Sequence, residues 1–125
     1  MFTSIDVPGA SQTLALGINP SGQIVGSYVD STGLHGYLYD RGVFTSIDVP
    51  GASGTEANGI TPSSQIVGWY SDSTGQHGFL YDRGVFTPID VPGASQTLAL
   101  GITPSGQIVG FYDSTHGFLA TPKKK

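Results

Sequence analysis

Three histidines stand at equivalent places along this chain. His35, His77 and His116 each precede a glycine and an aromatic–leucine pair. Imidazole is the side chain whose ordinary pKa suits proton transfer or metal binding near neutral pH. Aspartates flank them. Asp30, Asp72 and Asp113 open Asp-Ser-Thr segments just upstream, and Asp6, Asp48 and Asp90 precede Val-Pro-Gly. A metal site would ask for a second His, Cys or acid at ligand spacing beside each histidine. None occurs and the chain has no cysteine, so no metal and no cofactor is expected. Ser-His-Asp sets can be drawn from any segment, but none lies in a nucleophile elbow, and no glycine loop would cradle phosphate. A hydrolase or lyase is therefore the weakest reading, and the chain reads as non-enzymatic. Structural roles account for these residues more simply. The histidines would bond nearby backbone or turns, and each aspartate would bond the turn that it opens or precedes.

These residues recur because the chain itself recurs. A 42-residue unit runs from Phe2 to Val43 and again from Phe44 to Val85, with 33 of 42 positions identical. A third copy, Phe86–Leu119, is three residues shorter in one turn. Residues 1–122 thus form one domain of three tandem repeats (2–43, 44–85, 86–119), followed by a basic tail at 123–125 expected to be disordered. A fixed period of this length marks a repeat architecture.

Each unit holds four short apolar segments separated by turns. Phe2–Val7 alternates and is rich in β-branched residues, as a half-buried strand does. Pro8-Gly9-Ala10-Ser11 stops it. Thr13–Ile18 is apolar on both faces and reads as an interior strand. Asn19-Pro20-Ser21-Gly22 has the residues of a type I turn. Gln23–Val29 and His35–Tyr39 are the next strands, and Asp40-Arg41-Gly42 leads by a hairpin into the following unit. With 19 glycines and 8 prolines, and no helical periodicity, the fold class is all-β. The expected architecture is a β-propeller with three four-stranded blades per chain. Its alternative is a monomeric β-trefoil, which also has three units of four strands.

The stretch GINPSGQIVGSYVDSTGLHGYLYDRGVFTSIDVPGA resembles the HAF-type extracellular repeats of bacteria. Those carry G-I-N-x-x-G-Q-I-V-G, then H-G/A-F-L, then F-T-x-I-D-x-P-G-A. The resemblance spans residues 2–119 and recurs in each unit. It implies a propeller-like fold and an extracellular or cell-surface location, and it brings no activity with it.

In blade order, Phe2–Val7 is an outer strand without a blade, and His116–Leu119 lacks its outer neighbour. Exposed strand edges recruit partners. Three blades do not close a ring alone, so the expected partner is the chain itself, as a homodimer with six blades or, alternatively, a homotrimer with nine. A trefoil would instead close as a monomer.

The net charge of −4 and the 11% of charged residues offer no basic face for nucleic acid. No apolar run approaches the length of a membrane span. The N-terminus lacks a signal peptide, so a secreted natural protein would make this chain a mature form or an excised fragment.

Loops on a rigid scaffold are the natural binding sites. The outer-to-inner loops supply Ser11, Gln12, Ser53, Ser95 and Gln96. The middle loops supply Asp30, Asp72 and Asp113, with Trp69 and Tyr70 nearby. Hydroxyls, amides and carboxylates beside aromatic faces suit a glycan. With Asp6, Asp48, Asp90 and the three histidines they form the candidate ligand set, although inter-blade packing also explains the aromatics. Glu56 and Asn58 replace the leucines found at the same positions of the other units (Leu14, Leu16, Leu98, Leu100). On an inner strand they would line a central channel, where an ionised carboxylate needs a partner or water.

Overall fold

A computed structural model describes residues 1–122; the Lys123–Lys125 tail lies outside the described residues. Eleven strands and no helix make up the described chain. In the first unit β1 (Gln12–Ile18), β2 (Ile24–Asp30) and β3 (Gly33–Asp40) run antiparallel, and β4 (Val43–Ile47) pairs with β3. In the second unit β5 (Gly54–Ile60), β6 (Ile66–Asp72), β7 (Gly75–Asp82) and β8 (Val85–Ile89) repeat that order. One parallel pair, Leu34 with Gly54, joins the two meanders into an eight-stranded mixed sheet. The third unit holds β9 (Thr97–Ile102), β10 (Ile108–Tyr112) and β11 (His116–Ala120), a separate three-stranded sheet. No sheet is closed among the described residues.

The fourth strand of each complete meander comes from the start of the next sequence repeat. The hairpin that delivers it needs two left-handed residues in a row. Arg41 (φ 52°) and Gly42 (φ 84°) supply them, as do Arg83 and Gly84. Two positive φ values at the tip match the twist of the flanking strands.

Between the first two strands of a unit the register shifts, between Ala15 and Gly17 in β1 and between Ala57 and Gly59 in β5. Beside this bulge the backbones come very close. A Cβ built on Gly26 would lie 1.8 Å from the Leu14 carbonyl oxygen. Only glycine admits such an approach.

The core forms between successive units. Val25, Leu38 and Ile47 of the first pack with Ala57, Ile60, Ile66 and Phe79 of the second. Val67 and Leu80 of the second pack with Ala99, Ile108 and Phe118 of the third. Polar bonds follow the same route: Asn19 donates through Nδ2 to Thr61 O (2.9 Å), and Asn58 donates to Ala99 O (2.9 Å).

The middle unit is covered on both sides and the outer units on one. Val25 and Val67 are 0% exposed, but Val109, at the same place in the third unit, is 49% exposed. On the opposite face Ile60 is 7% exposed and Ile18 is 68% exposed. Phe2–Val7, expected as a strand, is unpaired, and Phe2 is fully exposed. Its copies at β4 and β8 are strands because β3 and β7 precede them.

Candidate functional site

In the first two units the meander brings the histidine near the head of the third strand to the outer-strand end, beside the aspartate thirteen residues on. His35 Nδ1 lies 2.9 Å from Asp48 Oδ1, and His77 Nδ1 lies 2.7 Å from Asp90 Oδ1. On the other side of the ring, Nε2 of His35 lies 2.6 Å from Thr32 Oγ1 and 3.3 Å from Asp30 Oδ1. The Thr32 hydroxyl donates to Asp30 Oδ1 (2.6 Å), as does its backbone N–H (2.8 Å). Thr74, Asp72 and His77 repeat this set. Tyr28 packs on the His35 ring and Tyr70 on that of His77, at 5.1 and 5.2 Å between centroids.

The geometry favours one arrangement of protons. Asp48 accepts, so Nδ1 must carry a hydrogen. The Thr32 hydroxyl already donates to Asp30, so its oxygen is left to accept from Nε2–H. All the bonds hold together only on an imidazolium ring. Burial works to lower the His35 pKa, but the bond to Asp48 and the charges of Asp48 and Asp30 outweigh it, and the pKa rises above 6.5. In His77 the bond to Asp90 leads, against burial, to the same upward shift. Hydrogen bonds from the Thr32 and Thr74 hydroxyls, then from their amides, hold Asp30 and Asp72 below 3.8.

A histidine with a raised folded pKa stabilises the fold fully below its ordinary 6.5, and the contribution is lost as pH rises through the raised value. The two aspartates act at the other end: their contribution is present above 3.8 and is lost as pH falls through their lowered values. Stability is therefore expected to peak between about pH 4 and pH 6.5 and to decline as pH rises above 6.5 through the raised histidine values. Urea midpoints across that range would check it. The double variant His35→Gln/His77→Gln should lose most of the decline.

The third unit departs from this pattern. His116 stacks on Tyr112 (centroids 5.0 Å apart) and, unlike His35 and His77, forms no ion pair with an aspartate among the described residues. The shortened turn redirects Asp113, which accepts from the backbone N–H and the hydroxyl of Ser95, both at 2.8 Å. Those bonds, the hydroxyl first, hold its carboxyl below the usual range.

Beside the first histidine, a groove of about 360 Å³ is lined by Thr32, His35, Asp48 and the Pro50–Gly54 loop with Ser53. In the second unit Gln96 donates through Nε2 to the Gln76 side-chain oxygen. Ser11 and Ser53 donate through backbone and hydroxyl to Val29 O and Ser71 O, tying each loop to the neighbouring strand. Gln12 and Asp6 are exposed. The ligand candidates thus form repeated clusters rather than one convergent centre. The Asp-Ser-Thr aspartates of the first two units do bond their own turns, as expected. Asp48 and Asp90 do not: the Val49 amide donates instead to Thr55 Oγ1 (3.2 Å), and both carboxylates serve the histidines. Thr32 and Thr74 were not singled out from sequence. The equal spacing His35–Asp48 and His77–Asp90 was the signal available.

Glu56 and Asn58 both turn to neighbours. Glu56 accepts from Trp69 Nε1 (2.9 Å) and, across the unit boundary, from Ser27 Oγ (3.1 Å). Asn58 is buried and reaches the third unit's β9. Glu56→Ala strands the indole N–H and the Ser27 hydroxyl, and is expected to cost about 1–3 kcal/mol. Glu56→Gln should recover part of it. Urea curves followed by the fluorescence of the only tryptophan would measure both.

No group of three or more potential metal ligands occurs among the described residues. No protein-family model matches the chain, and no curated protein or solved structure is significantly similar to it.

Proposed function

We propose that this chain is a non-catalytic, self-assembling repeat module whose three meanders act as blades of a β-propeller ring closed by further copies of the chain. The observation that carries this is the pair of uncovered end faces. Ile18, Leu14 and Leu16 on one, and Val109 and Leu119 on the other, are exposed apolar residues. Most of their counterparts form the cores between units. The restriction of those cores to successive units favours blades in series over a trefoil. Two copies, giving six blades, is the leading assembly, and three copies the alternative. The histidine network is satisfied internally, which suits a structural role better than catalysis.

Weak repeated glycan binding at the loop grooves accompanies this reading. The His35–Asp48–Ser53 groove sits at the lower end of the size range of ligand sites and offers carboxylate, hydroxyl and imidazole groups. Repetition around a ring would add avidity. An extracellular location follows only from the resemblance to HAF-type repeats. Light scattering on a sizing column across a dilution series tests the assembly: a mass of two or three chains supports it, and a folded monomer at all concentrations refutes it. A glycan array, repeated with Asp48→Asn, tests the grooves.

A further inference from the structure

We infer that the third histidine site is built from two chains, with Asp6 of one copy completing His116 of the next. This rests on the self-assembly reading above and specifies the atoms through which it would act.

The outer edge of β11 has no partner strand among the described residues. After β11 the sequence lacks the Asp-Arg-Gly of the hairpin that covers the other two units. Where those have Asp40-Arg41-Gly42 and Asp82-Arg83-Gly84, this unit has Thr121-Pro122-Lys123. Proline is locked near φ −65°, so it cannot take the left-handed conformation that Arg41 and Arg83 adopt at φ 52°. Pro122 therefore excludes here the left-handed hairpin tip that returns the chain onto β3 and β7.

The segment that fits this edge is present elsewhere. Phe2-Thr3-Ser4-Ile5-Asp6-Val7 is identical to Phe44–Val49, which provides β4 and the histidine's carboxylate in the first unit. It is unpaired, with Met1 and Phe2 fully exposed. In the complete units Leu38 faces Thr45 and Gly36 faces Ile47, and Leu80 faces Thr87 and Gly78 faces Ile89. The same register sets Thr3 opposite Leu119 and Ile5 opposite Gly117. Asp6 then falls where Asp48 and Asp90 fall, at Nδ1 of the histidine. A cavity of about 450 Å³ lies along this edge, lined by Ile89, Tyr112 and Gly117–Ala120. Phe44 meets Tyr37 edge-on at 5.5 Å, and Phe86 meets Phe79 at 5.6 Å. Phe2 would meet Phe118 likewise. A donated strand would supply main-chain bonds to the edge and the missing carboxylate together.

The absence of cysteine makes the test direct. The double variant Thr3→Cys/Leu119→Cys, oxidised under native conditions, should form disulfides between chains, replacing the monomer band on a denaturing gel with a covalent dimer or trimer. Leu38→Cys/Thr45→Cys, the same register inside one unit, is the control and should close within the chain. An intrachain 3–119 disulfide would overturn the proposal. So would no disulfide beside a working control. If the native protein is nonetheless oligomeric, only the strand donation fails; if it is monomeric, the assembly reading fails as well. An independent reading comes from NMR of the histidine rings. Asp6→Asn should shift the His116 resonances as Asp48→Asn shifts those of His35. A His116 signal unmoved in an intact oligomer overturns the composite site even if the disulfide geometry proves unfavourable.

Discussion

Gly68→Ala is expected to abolish folding. A Cβ at this position would lie 1.8 Å from the Glu56 carbonyl oxygen and 2.9 Å from Cε2 of Phe79. Neither obstacle yields easily. The first is backbone of the paired strand β5, pinned by its bulge. The second is the ring of a residue with no exposed surface. The cost should exceed roughly 4 kcal/mol, among the largest for a single substitution, and a domain holds only about 5–15 kcal/mol in all. Circular dichroism and urea denaturation would show a loss of the sheet signal or a collapsed midpoint. Gly101→Ala is the control, because its new methyl would meet only Val109 Cγ2 at an ordinary 3.4 Å. A Gly68 variant as stable as the Gly101 variant would contradict the close strand approach.

Phe79→Ala is expected to cost about 3–5 kcal/mol, the range for emptying a buried aromatic site. Phe79 joins the core between the first two units, packs edge-on against Phe86, and lies beside Tyr70. Its removal leaves a void between two meanders that are each held in register by their own hydrogen bonds. Phe118 occupies the same place in the third unit but is only half-buried. Phe118→Ala should cost clearly less under dilute conditions. Equal losses for the two would mean that the third unit is better covered than its edge implies.

Much of the fold was legible because turn chemistry and apolar segments repeat three times. The expected strands 13–18, 23–29 and 35–39 correspond to β1, β2 and β3 within a few residues. Phe2–Val7 shows where local reading stops. At the second copy four of these six residues, Phe44–Ile47, lie in β4, and at the first copy none lies in a strand, because an outer strand exists only where an edge accepts it. The site was less legible than the fold. Each histidine and aspartate was visible by type, but their pairing depends on the hairpin between them, which turns a separation of thirteen residues into a 2.9 Å contact. Thr32 escaped notice because its hydroxyl matters only once Asp30 and His35 sit on either side of it. Glu56 stood out as a departure between repeats, yet its partners Trp69 and Ser27 come from two different units.

Near-identical units in unequal surroundings have a further consequence for how the molecule opens. A protein whose units touch only their neighbours behaves as a short one-dimensional chain, in which each unit's stability is its own plus that of its boundaries. Within a single, dilute chain the middle unit has two boundaries and each outer unit one. Since 33 of 42 residues are shared between the first two units, a difference in amide exchange between β2 and β6 reports chiefly on the boundary rather than on sequence. The protein thus contains its own reference state, and one exchange experiment on the unmodified chain would read the coupling between units directly.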